Sequence, residues 1–397
     1  QNGILNAGDV VTATVNFSES VLVTGSPVLK LNIGGTLVDA AMVSGSGESR
    51  TFTYNYKILA NQTDVNGISI PENSLLGGAI ADAAGNTASV THAAVADSAS
   101  FKVDTTAPTL ASSPLPSTSS TGGGNSIGDT ITLTLSFGEG VYGLSAVSDS
   151  TVFKLAGNGV AATWGGEAGS ASRTLTFTVA PGQSGQATID EAALKTVLTG
   201  SLTDAAGNAL SIAGEIANID VSSTALPVVD GIAPTLASGT APSIALAGGG
   251  NSVGDTITLT VAFDGAVNGL TSGTNSTVFK LGGAGVSASW AGVNGTSSRT
   301  LTYTVLQGQS GPVTIDAAAL KTVLTAGISD AAGNVFSYST DISNIDAAAL
   351  PTVDGVAPRL TGVPTLSATG SQNGILNAGD IVTATVNFSE SVLVTGS

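Results

Sequence analysis

The chain has 397 residues, room for two to four ordinary domains, and its 28 acidic residues against 11 basic ones give a net charge of −17. That acidity disfavours nucleic acid and anionic membranes, which call for Lys/Arg patches, and it suits cations; no apolar run is long enough to insert into a membrane. Cys is absent, aromatics are only 4% and charged residues 10%, with 52 Gly, so each core must be built from Val, Leu, Ile and Ala, which fits two-layer sandwiches better than large α/β enzymes.

Taken in chain order, the first landmarks are Gly8-Asp9, an alternating run ending at Phe17-Ser18-Glu19, then Val28–Leu31, Ser49–Phe52 and Asp82-Ala83-Ala84-Gly85-Asn86. The linker Val103-Asp104-Thr105-Thr106-Ala107-Pro108 follows. Gly122–Phe137 then begins a segment in which Ile131, Leu133, Leu135 and Phe137 alternate with Thr and Ser, the period of a half-buried antiparallel strand. Ser150–Leu155 and Ser172–Val179 continue it, the spacing predicts a short helix over Asp190–Leu198, and Asp204–Asn208 repeats D-A-A-G-N. A close relative of this whole segment follows, with Gly248–Phe263, Ser276–Leu281, Ser298–Val305, a helix expected over Asp316–Leu324, and Asp330–Asn334.

The V-D-x-x-A-P linker recurs at Val229–Pro234 and Val353–Pro358, steps of 126 and 124 residues. Gln1–Ser26 returns at Gln372–Ser397, offset by 371 residues, with Val10 replaced by Ile381 as the one change. A large duplicated unit therefore contains three domains. About seven short strands per domain read as tandem immunoglobulin-like antiparallel β-sandwiches, all-β and strung into an extended rod. The expected boundaries are 1–106 (starting at an A–B turn, without strand A), 107–232, 233–356, and a partial domain at 357–397 holding strands A and B only. Strand B is expected at G-D-x-[VI]-T, C at V-x-K-L, E at S-R-T-[FL]-T, F just before D-A-A-G-N, and G leading into the next linker. Such ends imply a polypeptide that continues in both directions.

At these residues the chain resembles the bacterial Ig-like repeats of very large, type I-secreted surface adhesins. The V-D-T-T-A-P linker, the three D-A-A-G-N elements and the F-S-E of Phe17–Glu19 carry the resemblance. It implies display outside the cell on a bacterial surface, adhesion or biofilm roles, and calcium at domain junctions. The chain departs from the pattern at its second and third linkers, which read V-D-G-[IV]-A-P, and at Phe263-Asp264-Gly265, where Glu is expected.

Sandwich topology sharpens the metal expectation, because the B–C and F–G loops lie at the pole where the preceding domain enters. Asp104 should then meet Glu139 and Asp204, Asp230 should meet Asp264 and Asp330, and Asp354 should meet Glu390. Glu19 and Asp82 form the matching half-site of the first domain. Three carboxylates repel unless neutralised, and no Lys or Arg is near in sequence, so Ca²⁺ with its oxygen ligands is the expected cofactor. The competing reading is that these Asp residues only cap turns, since D-A-A-G-N is turn chemistry by itself.

Other residues carry less. Trp164 and Trp290 are expected in the core rather than on a carbohydrate platform, and the single His92 in a loop. No Ser-His-Asp set can be assembled beyond His92, and Asp190/Glu191 and Asp39/Glu48 read as helix start and surface rather than paired glycosidase acids. Gly122–Asn125 and Gly248–Asn251 lack the Lys and helix of a phosphate loop. Lys30, Lys154 and Lys280 recur on strand C, where an isopeptide bond is conceivable. No enzyme is expected. The leading expectation is a structural stalk or fibre whose partners are neighbouring repeats. The alternative is that the repeats themselves bind glycan, ice or a partner cell, or pair with other copies in a filament. A flat Thr row repeated on every domain would favour that alternative.

Overall fold

The structure is a computed structural model that describes residues 3–44, 47–111, 117–123, 125–212, 226–238, 241–338 and 350–396. Position 124 of the Gly122–Asn125 segment lies outside these residues. The chain forms two compact units, Gln1–Gly231 and Ile232–Ser397. Among the described residues it is all-β apart from two short helices.

Within the first unit, residues 131–229 build one hydrophobic core and residues 11–103 another. The sheet over the first of these runs Ser117–Thr121, Thr130–Val141, Ser170–Thr178, Ala162–Gly165 and Ser148–Asp149. Facing it are Asn158–Gly159, Phe153–Leu155, Ser184–Ile189 and Val228–Asp230. This is the A-B-E-D over C-F-G division of a constant-type immunoglobulin sandwich. The alternation read from sequence explains it: Ile131, Leu133 and Leu135 are fully buried while the intervening Thr residues face out. Trp164 is buried too, and its Nε1 donates to Asp149 at 3.3 Å.

The helix spans Glu191–Ser201, starting one residue inside the expected Asp190 and ending three residues later. Asp190 is its N-cap, accepting from Ala193 N at 2.9 Å, and also pairs with Lys154 at 2.6 Å. Leu194 and Leu198 bury its inner face. The third domain repeats all of this: Lys280 pairs with Asp316 at 2.7 Å, and the helix Ala317–Gly327 buries Leu320 and Leu324. The recurring strand-C lysines are thus ion-paired with carboxylates; Lys30 likewise pairs with Asp39 at 2.5 Å.

Two assignments change. Strand F is Ser184–Ile189, before the helix, rather than the segment just before D-A-A-G-N. That later segment makes only a bridge, Thr203 with Tyr142, onto the far end of strand B. The first domain shows the same device as a short strand, Ala79–Ala81, paired with Leu22–Thr24. The opening residues also do more than turn: Ile4–Leu5 runs parallel to Lys102–Val103. In this domain strand C (Val28–Ile33) pairs with Thr36–Ser44 through Gly34 and Gly35, both at positive φ, so one six-stranded sheet replaces the A-B-E-D sheet. A Cβ on Gly34 would meet Thr63 O at 2.1 Å, so the turn tolerates no side chain there.

A buried arginine organises strand B. Between Ser136 and Val141 the pairing of Thr130–Val141 with Ser170–Thr178 shifts register, a bulge in which Phe137 stays buried while Gly138 is exposed and Glu139 and Gly140 are half-buried. Arg173, fully buried, fills the space behind it and donates to the carbonyls of Val141 (2.6 Å), Gly143 (2.8 Å) and Ser172 (2.7 Å). Arg299 does the same for Val267, Gly269 and Ser298. The residues 365–369 and 381–385 near the C-terminus form a two-stranded ribbon whose residues are exposed throughout.

Candidate metal centre

The linker, the strand-B bulge and the F–G connection converge at one pole of the second domain. Asp104 ends the strand Lys102–Asp104 of the preceding domain. Glu139 lies within the strand Thr130–Val141, beyond the register shift and not in a loop. Asp204 opens the D-A-A-G-N turn after the helix. Each of the three offers a carboxylate oxygen, and these oxygens lie within 4.8 Å of one another. Among the described residues this is the one cluster of three such groups.

Hydrogen bonds fix two members of the set. Asp204 Oδ1 accepts from Asn208 N at 2.9 Å and Oδ2 from Asn208 Nδ2 at 2.8 Å. The same Asn208 amide donates to Asp104 O at 2.9 Å, which ties the F–G turn to the incoming linker. Asp104 Oδ1 in turn accepts from Thr106 N at 3.0 Å. The D-A-A-G-N element therefore does the turn chemistry expected of it and still presents its first residue to the cluster. Glu139 has no such partner. Burial, then the negative charges of Asp104 and Asp204, hold its carboxyl above the usual range. Among the described residues no Lys or Arg cation offsets this charge; Arg173 is spent on carbonyls behind the bulge. Three acidic oxygens at this separation, with backbone carbonyls nearby, match the donor set of a hard divalent cation.

The other expected residues are placed as follows. Glu19 is exposed and Asp82 half-buried, Asp82 holding Asn86 N at 2.8 Å and Asn86 Nδ2 at 2.7 Å, which lowers its carboxyl. Asp230 ends a strand of the first unit, whereas Asp264 and Asp330 belong to the second. Asp330 forms the same Asn turn, accepting from Asn334 N at 2.9 Å. Asp264 departs from expectation. It occupies the register of Gly138, not of Glu139: Asp264 N donates to Thr235 O as Gly138 N does to Thr109 O. Its carboxylate is engaged by Thr235 N at 2.9 Å and Thr235 Oγ1 at 2.8 Å. Gly265 stands where the second domain has Glu139. Asp354 is exposed and accepts from Val356 N. Glu390 is half-buried, and its Oε1 has no hydrogen-bond partner among the described residues. The lone His92 accepts from Ser74 N at Nε2 (2.9 Å), which leaves the Nδ1 proton for Ala93 O.

Sequence reasoning did not single out Asn208 as the tie between linker and turn, or the buried Arg173 that shapes the bulge. The repetition of Asn as the fifth residue of D-A-A-G-N, and of S-R-T in each strand E, was the available signal.

No family model matches the chain, and no curated protein does. Among solved structures, the chain is similar to one described as giving structural insight into host cell surface retention of a 1.5-MDa bacterial ice-binding adhesin, with 14% identity over 85% of this chain and 93% of that one and a TM-score of 0.28. The ectodomain (Ig1–Ig3) of mouse nectin-like molecule 4 matches at 12% identity, covering 78% of this chain and 89% of that one, TM-score 0.19. The surface layer protein SbsC, domains 1–6, matches at 12% identity over 96% and 62% of the two chains, TM-score 0.14.

Proposed function

We propose that this chain is a load-bearing spacer of an extracellular bacterial surface protein, a stalk or fibre whose sandwiches are stiffened at their junctions by bound Ca²⁺. The observation that carries the reading is the Asp104–Glu139–Asp204 cluster, assembled from the end of one sandwich and two elements of the next. An ion held by both sides removes the repulsion and makes the linker part of the fold, at a cost of roughly 10⁻⁴–10⁻³ M affinity typical of extracellular modules. Because such domains contact mainly their neighbours, length grows by adding repeats. The chemistry of the surface fits: hydroxyl-rich faces, few charges, and no disulfide to maintain.

A second reading, direct binding by the repeats, calls for the same hydroxyl face on every domain. On the second domain Ser119, Thr132, Thr176, Thr163 and Ser148 align in register as a hydroxyl row across the sheet. In the third domain the row reads Ala245, Thr258, Thr302, Ser289 and Asn275, and in the first Thr12, Asn55 and Ala41. The face thus changes from domain to domain, which supports the spacer over a repeated ligand-binding surface.

Small-angle scattering of the full chain tests the proposal. Calcium should narrow the distribution of dimensions, a chelator should broaden it, and Asp204→Asn should remove the response. Scattering that ignores calcium would set the spacer mechanism aside.

A further inference from the structure

The second and third domains are close relatives, so each serves as a control for the surface chemistry of the other. They differ at one edge of the sheet that contains strand B. In the second domain this edge is the strand Ser148–Asp149 with the turn before Ser170–Thr178; in the third it is Asn275–Ser276 with the turn before Thr296–Thr304. Among the described residues each of these short strands is the last of its sheet. Asp149-Ser150-Thr151 of the second domain reads Asn275-Ser276-Thr277 in the third, and Glu167-Ala168-Gly169-Ser170 reads Val293-Asn294-Gly295-Thr296. The edge thereby loses two carboxylates and gains two N-x-T triplets, the acceptor pattern for N-linked sugar. The second domain, over residues 107–232, contains no N-x-S/T triplet.

The backbone turns both asparagines outward. Asp149 pairs with Ala162 and points in, its Oδ2 accepting from Trp164 Nε1 and its Oδ1 from Thr151 N at 2.7 Å. In the third domain the edge strand slips by one residue. Asn275 pairs with Ser289, the counterpart of Thr163, and Ser276 takes the inward place, its Oγ accepting from Trp290 Nε1 at 3.1 Å. A slip of one residue moves a side chain to the other face of a sheet, so Asn275 is exposed, and its Oδ1 accepts from Ser289 Oγ at 2.8 Å. Asn294 is exposed in the turn between Ala288–Ala291 and Thr296–Thr304, where its Oδ1 accepts from Gly269 N at 3.0 Å. Among the described residues neither Nδ2 has a partner, and Thr277 and Thr296 are exposed beside them. Thr296 Oγ1 also closes the turn, donating to Val293 O at 2.7 Å and accepting from Arg299 Nη1 at 3.1 Å. The other triplets of the chain are set into strand pairings: Asn16 pairs with Thr51, Thr63 of Asn61-Gln62-Thr63 with Asp104, and Phe388 of Asn387-Phe388-Ser389 with Leu360.

We propose that Asn275 and Asn294 are acceptors of N-linked sugar, which decorates this edge of the third domain and leaves the second domain bare. The co-reactant is a sugar activated as its anomeric pyrophosphate ester, delivered by a glycosyltransferase. Nδ2 attacks the anomeric carbon; the C–N bond forms as the C–O bond to pyrophosphate breaks. The pyrophosphate leaves with the bonding pair, a base on the transferase takes one Nδ2 proton, and nothing is oxidised or reduced. The placement has a physical use. An edge strand is a template for pairing with another chain, and charged side chains are one common block. This edge has lost Asp149 and Glu167 of its relative and exposes Val293 at 69%, so a hydrated sugar takes over the blocking role.

The test is mass spectrometry of the full chain recovered from the cells that make it, denatured and cleaved after Lys and Arg. Cleavage after Lys280 and Arg299 separates the two sites, one peptide ending at Lys280 with Asn275 and the next spanning Leu281–Arg299 with Asn294. Each should be heavier than its sequence by whole sugar residues, and the peptides of the second domain should not. Thr296→Ala should strip the sugar from Asn294 alone, and Thr296→Ser, which keeps the hydroxyl, should retain it. A residue that merely shapes the Asn-Gly turn would give an unmodified peptide in all three chains. Peptides at their sequence mass, or a sugar on Asn294 indifferent to Thr296→Ala, would overturn the proposal; sugar on one asparagine alone would overturn the assignment of the other.

Discussion

Replacing Glu139 by Gln separates a calcium site from a set of turn-capping carboxylates, because the two readings give opposite signs in calcium-free buffer. Each pair of oxygens in the cluster lies within 4.8 Å. Two unit charges at that distance repel by about 1 kcal/mol in bulk water and about 3.5 kcal/mol at an effective dielectric of about 20. Asp104 and Glu139 are half-buried, so solvent screening keeps the figure near the lower value. Glu139→Gln removes two such pairs and should stabilise the calcium-free second domain by about 2 kcal/mol, or about 8 °C at about 4 °C per kcal/mol for a domain of this size. Calcium at about 10 mM and an affinity of about 10⁻⁴–10⁻³ M should add about 1.4–2.7 kcal/mol to the unaltered chain, and the variant should lose most of that gain. Thermal unfolding followed by near-ultraviolet dichroism, with Trp164 reporting on the second domain and Trp290 on the third, reads both numbers. The pH dependence has a definite sign. Glu139's carboxyl is raised in the folded chain, so the native state holds a proton that the unfolded state releases. Calcium-free stability should therefore fall as pH rises from about the ordinary value of 4.5 through the raised native one, and Glu139→Gln should flatten that decline. If the variant proves less stable than the unaltered chain in chelator, repulsion is not the governing term and the reasoning fails.

Further expectations follow from the same contacts. Arg173→Met should destabilise the second domain by about 3 kcal/mol or more, since three carbonyls lose their donor inside the core; urea unfolding measures it, and Arg173→Lys, which lacks the planar fork, should rescue little. Trp164→Ala should cost about 3–5 kcal/mol in the same assay. Asp190 is lowered by Lys154 and by the helix-start N–H groups, so its contribution is present above the ordinary carboxylate value of 3.8 and lost as pH falls through the lowered one; acid unfolding of Asp190→Ala should begin from a lower plateau and show a shallower slope there. Gly143→Ala should destabilise the domain, because the added Cβ meets Ser201 O at 2.1 Å at a φ of +97°.

Much of this was legible in the sequence because period-two alternation and internal repetition are strong signals. Ile131, Leu133, Leu135 and Phe137 read directly as an inward face, and the helix over Glu191–Ser201 announced itself through Asp190 followed by Leu194 and Leu198. The meeting of Asp104, Glu139 and Asp204 followed from sandwich topology alone. The failures have physical causes too. Asp264 stood one residue from the position of Glu139, and only the backbone pairing with Thr235 shows that it sits in the register of Gly138. Strand F was misplaced because the helix interrupts the path from Ile189 to Asp204, and apolar residues on both sides of it give no sign of which one pairs. The six-stranded sheet of the first domain depends on the Gly34-Gly35 turn, whose φ values no pattern of apolar residues reveals.

The central claim is that Asp104, Glu139 and Asp204 hold one divalent ion between two sandwiches. Anomalous diffraction from crystals grown with calcium tests it most directly. The account predicts a single strong peak about 2.3–2.6 Å from an oxygen of each of the three carboxylates; a calcium-soaked crystal with no anomalous peak there, and the three side chains turned apart into solvent, would contradict it.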